Sequence, residues 1–277
     1  MKRFLSIFII VLVLLFALTA CGKDGKDGKD GLTPTIEISE DGYWVINGEK
    51  TNVKAEGGNV GSATAENAQG LDFYLKDDGT YAVAIGNAKY LSEIVIPETY
   101  LGKAVTEIAD YGFNSAQNLK NLKKVTIPDS VISIGSEAFS YCESLTSVVI
   151  GDGVITIGYG AFYGCKSLTS VAIPDTVTSI GDYAFSFCES LTSVVIPDNV
   201  SSIGEMAFYN CDRLTSVVIG NSVTSIGSRA FDGCSALNDV YYTGSEVEWG
   251  EIRIVTDDSG YSRLFYVTIH YNYVPEK

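Results

Sequence analysis

"LTSVVIPDNVSSIGEMAFYNCDR", residues 191–213, is followed directly by "LTSVVIGNSVTSIGSRAFDGCSA", residues 214–236, and the second stretch follows the pattern of the first. The same frame opens at Leu122, Leu145, Leu168, Leu191 and Leu214, every 23 residues, with a degenerate start at Leu237. A fixed period of this length marks a solenoid. Each copy is a coil that cannot bury its own apolar side, and stacking buries that side against the neighbouring copies.

Within a copy, the alternation L-x-x-V-x-I places Val194 and Ile196 on one side of a short strand and Ser193 and Val195 on the other. Pro or Gly then ends the strand. Val200 and Ile203 turn back inward, Gly204 permits the next bend, and "EMAF" predicts a short helical or 3₁₀ turn that buries Ala207 and Phe208. A stretched copy begins at Leu91 and carries Ile94, Ile96, Pro97, Val105, Ile108 and Phe113, with an insertion after Pro97 and no Cys. The expected fold class is a mainly β repeat solenoid of six coils with short helical or 3₁₀ turns, its stacked strands adding ~4.8 Å per coil.

The chain has 277 residues, a formal net charge of −15 and 46% hydrophobic residues, so it has ample material for a core. Residues 1–20 read as a secretory signal: Lys2 and Arg3 precede a short apolar run that ends in "LTAC". That run is short for a membrane span of roughly 20 residues. A small residue before Cys21 resembles a bacterial lipoprotein cleavage box, which implies lipid attachment at Cys21 and a membrane partner through that anchor. The acidity argues against nucleic acid, since no basic patch with interleaved aromatics offers itself to phosphate.

Residues 21–31, with "GKDGKDGKDG", read as a solvated tether, too short and Pro-free for a collagen helix. Residues 32–55 read as a small β-meander with turns at Asp41-Gly42 and Asn47-Gly48, and Trp44 as its core or, with Tyr43, a surface for a sugar. Residues 56–70 have almost no large apolar side chain and read as a linker.

The phrasing "LTSVVIPDSVTSIGxxAFxxC" resembles the BspA-like leucine-rich repeat family of bacterial surface proteins. The resemblance covers roughly residues 71–277 and implies a right-handed leucine-rich-repeat solenoid with a parallel sheet. It implies an N-terminal cap hairpin at 71–90, coils over 91–236 and a C-terminal cap at 237–277. It also implies adhesion or protein recognition at the cell surface, with an extracellular protein of the host matrix or of a neighbouring cell as partner. A glycan ligand, or a passive spacer without a ligand, is the alternative, and the expected state is a monomer.

In a solenoid the informative unit is the column of equivalent positions. Cys142, Cys165, Cys188, Cys211 and Cys234 form one column, and parallel stacking holds their Cβ atoms wider apart than the ~3.8 Å of a disulfide. They are expected as buried free thiols that act as small apolar residues. Asp129, Asp152, Asp175 and Asp198, then Asn221, form a second column, read either as acceptors for backbone N–H groups in their own turns or as cation ligands. The outward strand positions Ser147, Val149, Ser170, Ala172, Ser193, Val195, Ser216 and Val218 make an uncharged, flat candidate partner-binding face. Tyr141, Tyr163, Phe187 and Tyr209, around each Cys, are candidate aromatic contacts.

No nucleophile elbow, Walker loop, dinucleotide fingerprint or HExxH occurs, and the single histidine, His270, lies in an alternating strand near the C-terminus. The sequence therefore predicts a binding protein with no cofactor, no metal and no catalytic residues.

Overall fold

The structure, a computed structural model, describes residues 36–38, 43–46, 49–54, 70–86, 88–114, 119–257, 260 and 262–275. The expected lipid-attachment residue Cys21, the tether, the linker up to residue 69 and the side chains of Tyr43 and Trp44 lie outside the described part. The chain divides into two units, 1–58 and 59–277. In the first, strands Ile36–Ile38, Tyr43–Ile46 and Glu49–Lys54 pair antiparallel in chain order.

The second unit is a solenoid of about seven turns, one more than the sequence predicts. Its front sheet holds eight parallel strands. Glu93–Val95 comes first, then Lys124–Ile127, Ser147–Ile150, Ser170–Ala172, Ser193–Ile196, Ser216–Ile219, Asp239–Tyr242 and Thr268–His270. Register is kept from copy to copy: Lys124 pairs with Ser147, Ser170 with Ser193, and Ser193 with Ser216. A back sheet is built from two-residue strands such as Ser179–Ile180 and Ser202–Ile203, also parallel. Each coil thus contributes one strand to each sheet and carries its apolar side chains between them.

The core repeats as the sequence does. In the coil that starts at Leu191, this residue, Val194, Ile196, Val200, Ile203, Ala207, Phe208 and Cys211 are all buried. Phe113, Phe139, Phe162, Phe185, Phe208 and Phe231 form one column of stacked rings. From Phe139 to Phe231 their centroids lie 5.2–5.3 Å apart and their planes within 5–7° of parallel. Burying each such side chain is worth about 1.5–3 kcal/mol, so this column is a principal source of the cohesion between coils.

The third side of the coil, expected as a short helical or 3₁₀ turn, keeps i→i−3 bonds but spends its other donors on the next coil. In the coil from Leu191, residues 205–210 are consecutive turns. Met206 and Asn210 sit at positive φ, 51° and 55°. Backbone N–H groups alternate their partners there: Ala207 and Tyr209 donate to Gly204 and Met206 within the coil, at 3.4 and 3.1 Å. Met206, Phe208 and Asn210 donate to Ser228, Ala230 and Asp232 of the next coil, at 2.8–2.9 Å. A helix would have used these donors internally. Here three of the five make a third ladder along the stack.

Both ends of the solenoid depart from the repeat. Leu71–Leu75 and Tyr81–Ile85 form an antiparallel hairpin whose second strand joins the back sheet beside Lys103–Ile108. Its turn is held by Asp78, which accepts from the N–H and hydroxyl of Thr80 at 2.9 and 2.6 Å. At the other end, the segment after Leu237 extends both sheets, through Asp239–Tyr242, Arg253–Ile254 and Thr268–His270. The short helix Glu246–Glu251 between them starts with a reciprocal Ser245–Glu248 capping box.

Candidate functional site

The outward side of the front sheet carries two columns in register. One runs Glu93, Lys124, Ser147, Ser170, Ser193, Ser216, Asp239 and Thr268; the other runs Val95, Thr126, Val149, Ala172, Val195, Val218, Tyr241 and His270. Val149 and Val195 are each 48% exposed, Ser170, Ala172 and Ser193 are exposed, and Ser147, Ser216 and Val218 are half-buried. The eight residues singled out by the sequence therefore lie together, with no charge among them. At the foot of the same strands, the hydroxyls of Thr146, Thr169, Thr192 and Thr215 each donate to the carbonyl of the preceding coil, at 3.0–3.4 Å. Those bonds tie the coils together.

Both ends of this face differ from its middle. Glu93 stands beside Lys124 at one end. At the other, the Tyr241 ring stacks on His270 at 4.6 Å and 13°, Tyr273 lies 4.8 Å from Tyr241, and Nε2 of His270 meets Oδ1 of Asp239 at 2.8 Å. Sequence reasoning missed this cluster, because it is assembled from strands 29 residues apart that lack the repeat's Cys and Phe. The alternation in "YVTIHYNY" was its one legible sign.

Tyr141, Tyr163, Phe187 and Tyr209 form a second surface on the turn-ladder side. Successive ring centroids are 5.1, 5.4 and 5.6 Å apart and successive planes cross at 74°, 64° and 74°. Tyr159 and Tyr183, which the sequence reading did not single out, make a further pair on this side at 5.4 Å. Burial pushes the phenol of Tyr163 up, and the neighbouring Tyr141 hydroxyl adds to this.

All five column cysteines are buried and free. Each thiol donates to the carbonyl of a phenylalanine in the preceding coil: Cys142 to Phe113, Cys165 to Phe139, Cys188 to Phe162, Cys211 to Phe185 and Cys234 to Phe208, at 3.0–3.4 Å. Burial pushes Cys142 up to about 12, and Cys165, Cys188 and Cys211 are raised by the same cause. Thiols held protonated in this way are poor nucleophiles. In the aspartate column, Asp129 accepts from the N–H of Asp152 at 2.9 Å and Asp198 from that of Asn221 at 3.1 Å. The sequence led us to expect such bonds within a single turn; these two run between coils instead. Among the described residues no group of side chains is arranged to hold a metal.

With this geometry in place, the comparisons with known proteins are specific. The sequence signature described as a BspA type leucine-rich repeat region matches residues 106–238 in six copies. The crystal structure of a leucine-rich repeat protein of T. pallidum is similar at 31% identity and a TM-score of 0.60, over 64% of this chain and 80% of that one. The chain belongs to the BspA-type leucine-rich repeat family. A leucine-rich cell surface protein of Faecalibacterium prausnitzii A2-165 is 34% identical over 65% of this BspA-type chain and 55% of that protein, with a TM-score of 0.47. The pneumococcal vaccine antigen PcpA shares the fold at 21% identity and a TM-score of 0.50, over 67% of this chain and 48% of that one. No curated protein matches the chain.

Proposed function

We propose that this protein is exported, anchored by lipid at Cys21, and recognises an extracellular protein partner through the front sheet. The observation that carries the reading is the uncharged strip from Ser147 to Val218 in a chain whose net charge is −15. Such a strip costs little to desolvate, whereas the surrounding acidic surface would resist burial. Stacked strands add ~4.8 Å each, so the uncharged strip, four strands wide, offers a face roughly 15 Å long to an extended or flat partner. Contact spread over several coils then accumulates from small apolar patches. The reading is non-catalytic: the column thiols are buried, and the only imidazole is engaged by Asp239 and Tyr241.

The test is binding of the chain beginning at Cys21 to immobilised extracellular-matrix and bacterial surface proteins. Saturable binding that falls at least roughly ten-fold in the Val149→Lys, Val195→Lys, Val218→Lys triple variant supports the reading. Silence across both panels leaves a passive spacer as the better account. Anchoring is tested separately: Cys21→Ala is expected to abolish incorporation of labelled fatty acid and release the protein from membranes.

A further inference from the structure

The aromatic ridge differs in kind from the phenylalanine column beneath it. Core rings lie face to face, planes 5–7° apart, and consume one another's faces. Ridge rings are edge-to-face, which leaves ring surface open to solvent. Tyr141 is 47% exposed and Tyr159 49%, while Tyr163, Phe187 and Tyr209 are half-buried.

The ridge is also not a by-product of the repeat. Tyr141 and Phe187 stand immediately before the Cys of their coils, whereas Tyr163 and Tyr209 stand two positions before it. The ring changes position from coil to coil, yet each coil from Leu122 to Leu191 places one ring in the line. Tyr141 and Phe187 occupy positive φ, 57° and 58°, at the position where the coil between them has Gly164. The residue after the Cys of each of these coils is Glu143, Lys166, Glu189 or Asp212, two to three positions from the ring of its own coil, and Lys166 is paired to Glu143 at 2.8 Å. Because successive planes cross at 64–74°, a polymer lying along the line meets every second ring face-on and the ring between them edge-on, an arrangement suited to a repeating ring polymer.

We infer that this ridge is a second binding surface, separate from the front sheet, for an extended, uncharged, β-linked polysaccharide lying along the solenoid axis. An extended β-linked glycan advances by about one pyranose ring per sugar, so every second sugar comes over every second ridge ring, two of the 5.1–5.6 Å steps further on. The axial faces of such sugars carry C–H groups that pack on aromatic rings, and their equatorial hydroxyls reach the flanking carboxylates and Lys166. Charge selects among polysaccharides. Three of the four bordering side chains are acidic, so sulfated, phosphorylated or uronate-rich polymers are repelled.

The test is affinity electrophoresis of the chain from Cys21 in gels containing a soluble neutral β-glucan, an α-linked dextran or dextran sulfate, with calorimetry on β-linked oligosaccharides of increasing length. Retardation by the β-glucan alone is expected, with affinity rising with length until the ridge is spanned. The Tyr163→Ala, Tyr209→Ala double variant should weaken it roughly ten-fold, whereas Tyr163→Phe, Tyr209→Phe should keep it, since stacking needs the ring. If the double variant fails to fold, Tyr141→Ala, at an exposed ring, replaces it. Unchanged retardation after ring removal, equal retardation by dextran, or none by β-glucan would overturn the inference. The front-sheet lysine variant is expected to bind β-glucan normally, so failure of either surface is read independently of the other.

Discussion

A single cysteine shows how much one position does in a repeat. Cys188 fills space in the core, and its thiol satisfies the Phe162 carbonyl at 3.4 Å. Its neighbours do the same for other coils, and four of these thiols have raised pKa values in the folded chain. In the unfolded chain a thiol ionises near pH 8.5. Above that pH the unfolded state holds fewer protons than the native one, so stability is fully present below pH about 8.5 and declines as pH rises towards the folded values. Urea unfolding between pH 7 and 10 should show this decline, and Cys165→Ala with Cys188→Ala should make it shallower, with Cys142 and Cys211 carrying the remainder. Native protein at pH 8 should resist thiol alkylation that proceeds at once in urea. Phe185, stacked on both sides, is the complementary case: Phe185→Ala should cost about 3–5 kcal/mol in equilibrium unfolding, through lost burial and the cavity left behind.

At the scale of the element, the repeat's glycines are explained by clearance rather than by the bend that the sequence suggests. Gly181 has no positive φ, but a Cβ there would lie 2.7 Å from the carbonyl carbon of Gly158 and 2.9 Å from the Ile157 oxygen in the preceding coil. Gly181→Ala should therefore push two coils apart and cost about 1–3 kcal/mol, while Ser179→Ala two residues earlier should be nearly neutral. The strands were legible because side-chain alternation reports directly on which face is buried. The third ladder was not. It depends on left-handed backbone at Glu137, Tyr183, Met206 and Arg229, residue types with no preference for that conformation, and on donors shared with a coil 22 residues away. Local sequence carries no trace of such partners. The ridge was half legible for a related reason: its residues could be listed, but their lining up depends on how two adjacent positions alternate.

For the whole molecule, the 23-residue register means that the strands and core residues of each central coil meet equivalent partners in the next. Removing residues 191–213 joins Ser190 directly to Leu214, which stands where Leu191 stood, and no new type of contact arises. The shortened chain should fold cooperatively, about 1–3 kcal/mol less stable, with the same circular dichroism per residue. Removing residues 191–202, half a coil, should instead leave an unfolded or aggregating product. The period also made the central coils readable from sequence, whereas the last turn was not, since after Leu237 the chain keeps the strands but drops the Phe and Cys that identify a copy. All three ladders run along the stack, and that decides how the molecule bears load. A pull along the axis meets the interfaces one after another, so the weakest pair of coils sets the yield. A pull across it, from a partner held on one side, is shared by every coil the partner spans. Such a protein is weak as a rope and strong as a rack.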